Sequence, residues 1–547
     1  MPALLPTFAT PMPLGPLPRG ARYSFNADSL LFANVLTLSD LLAHLPGVYV
    51  ARGGLLGQPE VVLYGGRGAL GLELYWDGMP YLPLGRDSVF LDPARVSLAP
   101  LERVDVIFLP AALRIYLVTA RPRSTAPVTE VRVATGDLGI AGYRGALGKR
   151  WRSGAGLSLV ADWNSLDGAL RSSTSPFNSV DLWLKAEFVP NGKVGASYQV
   201  LSSTWDRSAE PNLVDRLKFR RQDGIFRFFL ASRADGLGLR VQGSIASSAT
   251  SRDTAVAQRT LYQEALEISH IWPRASAALA TRLTHGRSPF QLEGRAAWTP
   301  RPWVTLAADG RHATYGVSRT GDRLHLSLGV ELPYGLSAIG HVAWAHDVQA
   351  PALANDAPQE TTDLSGALRW ERPWVTLEVG SARRDSFAPA ARPGAGGLKP
   401  IGGLGRTPPT NYLSAHVSLR PLPGVQLAGW YFDPVRGGGD FEPPYHARLS
   451  ATFYSKFWRV FRSGIFALRG EVAVESWSVG LGGQDSTGGQ LVLPGATFVE
   501  TNVEMQIAGV TIFWIIRNNN AMRASYVPGL GYPKRVQQYG VRWVFTN

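Results

Sequence analysis

Residues 323–332 read Arg-Leu-His-Leu-Ser-Leu-Gly-Val-Glu-Leu. Successive side chains of an extended chain point to opposite faces. Leu324, Leu326, Leu328, Val330 and Leu332 therefore share one face, and Arg323, His325, Ser327, Gly329 and Glu331 share the other. This period of two predicts a strand with one apolar and one polar side. It recurs at 466–475, where Phe466, Leu468, Val472 and Val474 oppose Ala467, Arg469, Glu471 and Glu475. It recurs again at 446–458, where Ala447, Leu449, Ala451, Phe453 and Phe457 oppose His446, Arg448, Ser450, Thr452 and Lys456.

Outward from these segments, turn residues punctuate the chain. Short breaks fall at Arg152-Ser153-Gly154, Pro190-Asn191-Gly192, Ala234-Asp235-Gly236, Trp272-Pro273-Arg274, Thr299-Pro300-Arg301-Pro302, Pro333-Tyr334-Gly335, Glu371-Arg372-Pro373, Pro421-Leu422-Pro423-Gly424, Arg462-Ser463-Gly464 and Ala508-Gly509. Proline and glycine interrupt a central strand. Longer polar segments alternate with these breaks, the longest at 385–410. Two strands per interval predict about 22 strands from Val128 onward, with short turns at one end and longer loops at the other, as transmembrane β-barrels arrange them. Trp272, Trp298, Trp303, Trp370 and Trp374 all lie beside short turns, where a half-wet ring suits the headgroup level of a bilayer. Tryptophan packed under turns of a soluble sandwich is the alternative, disfavoured by the regular placement at one strand end.

Composition agrees with a membrane barrel. Charged residues are 18% of the 547, against about 25% in soluble domains. Lys and Arg number 55 against 42 Asp and Glu, a formal net charge of +13. The basic residues are spread along the chain, whereas a nucleic-acid binder concentrates them in a stripe or tail, so no nucleic-acid partner is expected. There is no cysteine, which excludes disulfides, a thiolate nucleophile and Cys-ligated metal. No apolar run reaches the 18 residues of a transmembrane helix; the densest, 507–516, is too short. A mean hydropathy of −0.03 is what alternating strands produce.

The region before the barrel divides in two. Residues 1–34 open with prolines at 2, 6, 11, 13, 16 and 18 and read as an extended, disordered leader. Without Lys or Arg before the apolar part, the start does not read as a secretory signal peptide. Residues 35–125 read as a small α/β module. A short helix opens at Thr37-Leu38-Ser39-Asp40, with Ser39 as the expected cap and Pro46-Gly47 as its stop. Strands follow at 48–50, 60–64, 72–76, 104–108 and 115–119.

Four segments of this module, LSDLLAHLPGVYV, VVLYGGRG, LYWDGMPY and PLERVDVIFLP, occur in an order and spacing that resemble the plug domain of TonB-dependent outer-membrane receptors. Pro46, Gly47 and Val48 match that family's "PGV"; Arg67 and Gly68 its "RG"; Asp77, Gly78 and Pro80 its "DGvP"; Glu102 its "IErIEV". The glycine-rich segment that follows in the family is shorter here, where the text runs FLPAALRIYLVTAR. No TonB-contact segment is found before the plug. At the other end, Tyr539, Val541, Trp543 and Phe545 alternate with Gln538, Gly540, Arg542 and Val544 and resemble the final-strand signal read by the barrel-assembly machinery.

The resemblance implies a closed antiparallel barrel of about 22 strands with an α/β plug in its lumen, since a barrel this wide needs one. It implies an outer-membrane location in a Gram-negative-type bacterium and contact with lipid, the assembly machinery and the TonB complex. It also implies uptake of a scarce solute such as a metal chelate, vitamin, glycan or peptide. Ligand contact is expected at the external loops and residues 67–81. The alternative is a plugged barrel that transports nothing and serves as a structural or partner-binding subunit, suggested by the shortened plug. A soluble β-rich protein is a further alternative.

Enzyme signals are weak. Gly66-Arg67-Gly68-Ala69-Leu70-Gly71 matches G-x-G-x-x-G, but the residues after it read as a strand, not the helix a dinucleotide site needs. His285, His312, His325, His341 and His346 lack tight ligand spacing, so neither a metal nor another cofactor is expected. Asp363, Glu378, Glu471 and Glu475 share polar faces with Arg369 and Arg469, a pattern expected of ion pairs that satisfy a lumen. No catalytic residue is assigned.

Overall fold

The computed structural model describes all residues except 1–4, 9–16, 34, 66, 85–88, 169–173, 210–215, 252–259, 317–318, 354, 395–397, 399, 403–404, 436–437, 458–459, 462, 464 and 547. Beyond residue 127 the alternating segments form 22 antiparallel strands in one closed barrel. Every strand pairs with its sequence neighbour in the barrel, and the last, Val536–Thr546, pairs with the first, Val128–Gly136, in the register Tyr539↔Thr135, Val541↔Val133 and Trp543↔Val131. Closure leaves no open edge, the condition for strands to stand in hydrocarbon.

The face assignment read at 323–332 is the one found. Leu324, Leu326 and Leu328 point outward and are exposed, while His325 and Ser327 are buried toward the lumen. The same exposed row of Leu, Val, Ile and aromatic side chains runs around the barrel. A monomer in water would expose such a belt only as an aggregating surface; against lipid it is satisfied. Trp272, Trp298, Trp303 and Trp374 stand exposed beside the short turns. The strand His446–Ser455 stops before Phe457, which has a left-handed φ of 48° and belongs to the turn rather than the strand face expected for it. The break expected at Arg462 and Gly464 lies outside the described residues.

The lumen holds a five-stranded sheet in the order Arg22–Phe25, Leu101–Leu109, Ala112–Thr119, Leu72–Trp76, Met79–Pro80. Leu72–Trp76 runs parallel to Ala112–Thr119; the other pairings are antiparallel. A second ribbon pairs Tyr49–Arg52 with Glu60–Leu63. The apolar faces of the sheet and of the helix Leu38–Leu42 close on a core that includes Leu41, Leu45, Val104, Val106, Leu113, Ile115 and Leu117.

Three expectations are corrected. The cap of Leu38–Leu42 is Thr37, whose hydroxyl accepts from Asp40 N at 3.2 Å; Ser39 lies inside the helix and is buried. The reading of residues 1–34 as a disordered leader fails at 22–33, because Arg22–Phe25 adds an edge strand to the sheet and Ala27–Ala33 forms a helix. Even Phe8 is anchored, edge-to-face on Phe229 at 4.8 Å; Pro11, Pro13 and Pro16 lie outside the described residues. The strands expected at 104–108 and 115–119 are longer, running Leu101–Leu109 and Ala112–Thr119 with only Pro110 and Ala111 between them. That tight hairpin occupies the place of the shortened glycine-rich segment.

Candidate functional site: the plug, its wall contacts and its cap

The site is the interface between the lumenal domain and the barrel. Its ties are polar because barrel residues alternate, so the inward set of each strand carries the charges and amides.

At the helix Leu38–Leu42, Asp40 accepts two hydrogen bonds from the wall residue Arg517, Nη2 to Oδ2 at 2.9 Å and Nη1 to Oδ1 at 3.2 Å. Arg52 on the adjacent ribbon donates to the same carboxylate, and Leu36 N reaches Oδ2 at 3.0 Å. All three side chains are buried. Burial alone would raise the Asp40 pKa; Arg517 and Arg52 outweigh it and hold the carboxyl well below the usual range. On the strand opposite Arg52, burial pushes Glu60 up to about 7, with Arg52 offsetting only part of the cost. Glu60 accepts from the hydroxyls of Ser39 and of Thr37, the latter at 3.1 Å.

The family-motif positions are dispersed over this interface and do not converge on one pocket. Gly47 follows the helix at φ 72°, and a Cβ there would lie 2.7 Å from the Phe432 ring. Pro46 lies in the same turn and is half-buried. Arg67 is committed: its Nη2 meets Asp363 Oδ2 of the wall at 2.6 Å, and its guanidinium lies over Phe387 at 4.7 Å. Asp363, one of the carboxylates expected to be ion-paired, thus has Arg67 of the plug as a partner. Gly68 opens a 3₁₀ turn, Gly68–Gly71, that leads straight into Leu72–Trp76, so no helix follows the G-x-G-x-x-G match.

Asp77 and Gly78 both have positive φ, 46° and 90°, and turn the chain between Leu72–Trp76 and Met79–Pro80. Asp-Gly is the pair such a turn favours. The buried Asp77 carboxylate accepts from Thr119 N at 3.1 Å, Thr119 Oγ1 at 2.6 Å and the wall residue Gln199 Nε2 at 2.7 Å. Burial is again outweighed, here by Lys185 and Arg227, so the Asp77 pKa is lowered. Pro80 O accepts from Gln263 of the wall at 3.0 Å. Glu102 stays within the plug region, taking Arg121 N at 2.9 Å and Nε at 2.7 Å.

Several ties carry no motif. Glu73 joins Arg114 and the wall residue Arg323, each at 2.8 Å; burial opposes but does not match these cations, and its pKa falls to about 2. Arg114 in turn reaches Asp309 of the wall at 3.2 Å. Only alternation pointed to these wall residues. Nothing local could pair them with a residue hundreds of positions away.

At the long-loop end, aromatic side chains close over the plug. Tyr49 donates to Tyr526 O at 2.8 Å and sits edge-on to Trp477 at 5.4 Å. Phe441, Phe498, Tyr526 and Tyr532 are buried around them. Arg207 reaches Gly57 O at 3.2 Å, and a Cβ on Gly57 would strike the Phe177 ring at 2.2 Å. The plug apex is therefore packed closely against the loops at Tyr49 and Gly57.

The histidines do not gather. His325 and His341 stack in the lumen at 5.4 Å, but His312 pairs with Asp322 at 2.8 Å among exposed side chains and His285 faces Glu264 at 3.8 Å. Among the described residues no group of three or more His, Asp or Glu is placed to hold a metal ion. Of the lumenal carboxylates singled out, Glu378 pairs with Arg369 at 3.4 Å, Glu471 with Arg448 at 3.8 Å, and Glu475 with His446 at 2.9 Å. The final-strand residues Tyr539, Val541 and Trp543 face outward and exposed; Phe545 is half-buried beside Trp543.

A barrel of 22 strands whose lumen is filled by a preceding mixed sheet has clear structural counterparts. The chain has the fold of outer-membrane receptors. The siderophore receptor PirA from Acinetobacter baumannii superposes with a TM-score of 0.72 at 10% identity, over 96% of this chain and 98% of that one. A mutant of the ferric enterobactin receptor PfeA from Pseudomonas aeruginosa gives 0.72 at 11%, over 96% and 98%. The copper transporter OprC gives 0.70 at 12%, over 96% and 100%. No family model and no curated protein matches the sequence.

Proposed function

We propose that this chain is a TonB-dependent outer-membrane receptor that carries a scarce solute across the outer membrane of a Gram-negative-type bacterium. The observation that supports it is the way the plug is mounted. The plug is tied to the wall by separate ion pairs and hydrogen bonds, Asp40–Arg517, Arg67–Asp363, Glu73–Arg323 and Asp77–Gln199, each breakable without unfolding the barrel. A plug meant to be displaced needs such discrete ties, since polar contacts re-form with water and apolar ones do not. The solute is taken at the loop end, where the aromatic cap around Tyr49 must part. The last strand, with Tyr539, Val541, Trp543 and Phe545, serves as the signal for the assembly machinery, and the outward belt contacts lipid.

A metal chelate is the first class to test, because PirA and PfeA are named as siderophore receptors and OprC as a copper transporter. Uptake of labelled ferric and cupric chelates is compared in cells with and without the gene, and the purified chain is mixed with the TonB C-terminal domain. Uptake lost on deletion and a 1:1 complex support the reading. Uptake intact on deletion, with no complex, overturns energised transport. That result would instead favour a plugged barrel acting as a structural or partner-binding subunit, the reading suggested by the two-residue connection at Pro110 and Ala111.

A further inference from the structure

A cavity of about 380 Å³ lies between the plug and the wall on both sides of the seam where the barrel closes. On the wall side it is lined by a row of five charged residues, Arg542, Arg132, Arg144, Asp162 and Asp181, with Glu130 two positions from Arg132 on the same strand face. These five are direct cross-strand neighbours on five successive strands: Arg542↔Arg132, Arg132↔Arg144, Arg144↔Asp162, Asp162↔Asp181. Directly opposed side chains have Cβ atoms about 5 Å apart, and like charges so placed repel. Within the row the Arg542–Arg132–Arg144 and Asp162–Asp181 neighbours are like-charged and repel, and only the Arg144–Asp162 junction is of opposite sign.

The outer two arginines have partial outlets. Arg144 Nη2 donates to Ala99 O at 2.5 Å and its Nε stands 3.9 Å from Glu130. Arg542 donates to Leu31 O at 3.2 Å and faces Glu504 at 3.6 Å. The central one has less: among the described residues no carboxylate lies within 4.0 Å of Arg132, its Nε has no hydrogen-bond partner, its guanidinium lies over the face of Phe513 at 4.8 Å, and Asp162 and Glu130 attract it only from beyond ion-pair distance. Asp162 is occupied by Asn164 Nδ2 at 2.8 Å and makes no ion pair with the row.

We propose that Arg132, with Arg144 and Arg542 on either side, is a binding site for a small anionic group, carboxylate or phosphate, admitted to this cavity. A cavity of this volume holds a molecule of metabolite size. Charge-assisted bonds from planar guanidiniums suit both oxyanions. Asp162 and Asp181 limit the site on one side and turn the negative end of a bound molecule toward the seam. The proposal concerns the purified chain and does not depend on energised transport.

The test is isothermal titration of the full chain in detergent with inorganic phosphate and, separately, citrate, paired with thermal melts. Saturable binding of either probe is expected, and the tighter one identifies the oxyanion. Arg132→Gln weakens binding at least about tenfold. Asp162→Asn tightens it, and Arg372→Gln at an exposed turn leaves it unchanged. Without anion, Arg132→Gln melts no lower than the natural chain, because one of three opposed charges is gone; with anion, only the natural chain gains stability. Absence of saturable binding, equal weakening by Arg372→Gln, or an Arg132→Gln protein that melts markedly lower without anion overturns the site.

Discussion

Replacing Asp40 by Asn tests whether the plug is held by discrete charged ties. The substitution keeps the shape of the side chain and removes the charge that faces both Arg517 and Arg52. Breaking a buried pair by removing one partner costs about 3–5 kcal/mol, because the stranded cation stays desolvated. Glu60 still faces Arg52, so the lower end, about 3 kcal/mol, is expected. A sub-global opening of the plug that is cheaper by this amount raises amide exchange about a hundredfold. Hydrogen exchange read by mass spectrometry should show this in peptides covering Leu38–Leu42 and Tyr49–Arg52, with the barrel strands unchanged. Asp40→Asn combined with Arg517→Gln should cost less than the two single changes added, since each alone strands the other. Exchange at 38–52 within twofold of the natural chain, or strict additivity in the cycle, would refute the tie.

Other outcomes follow from the same structure. Leu326→Arg, mid-strand on the outward face, should cost about 2–4 kcal/mol in refolding into phospholipid, whereas Leu332→Arg beside a short turn should cost about 0–1; equal costs would remove the bilayer from the reading. Glu60 binds its proton more tightly in the folded plug than unfolded, so plug stability should fall as pH rises from about 4.5 to about 7, by about 3 kcal/mol in all. Glu60→Gln should flatten that slope in pH-dependent exchange at 38–63. Gly47→Ala should loosen the same region by more than the 1–2 kcal/mol of its left-handed backbone, because the new Cβ meets Phe432; thermal melts of the plug, with Phe432→Leu as partial rescue, check this.

The barrel was legible in the sequence because its cause is local. Lipid on one side and lumen on the other impose a period of two on every strand, and Leu324 to Leu332 show it without reference to any partner. Element ends were less legible. Phe457 continues the alternation yet leaves the strand, since the chain turns left-handed two residues after the ladder stops at Ser455. Arg22–Phe25 and Ala27–Ala33 were hidden by the neighbouring prolines, and their order comes from an edge of the plug sheet supplied 80 residues later. In the plug, Asp77-Gly78 stood out only as a motif match; its tie to Gln199, 122 positions away, was not legible.

The lumenal charges mark where local reading stops and function begins. Alternation explains why Arg517, Asp363, Arg323 and Arg132 point inward, and nothing more. The plug then answers three of them, with Asp40, Arg67 and Glu73 supplying the opposite sign at short distance. A lumen filled only for stability would answer all of them, since an unpaired buried guanidinium costs more than an apolar substitute. Arg132 stands between two further arginines and receives no such answer from the plug. Glu130 and Glu504 stand beside the outer two, and the central arginine of the three in register is where a further negative partner fits. The unpaired position, rather than the paired ones, is thus where a solute's charge is to be sought.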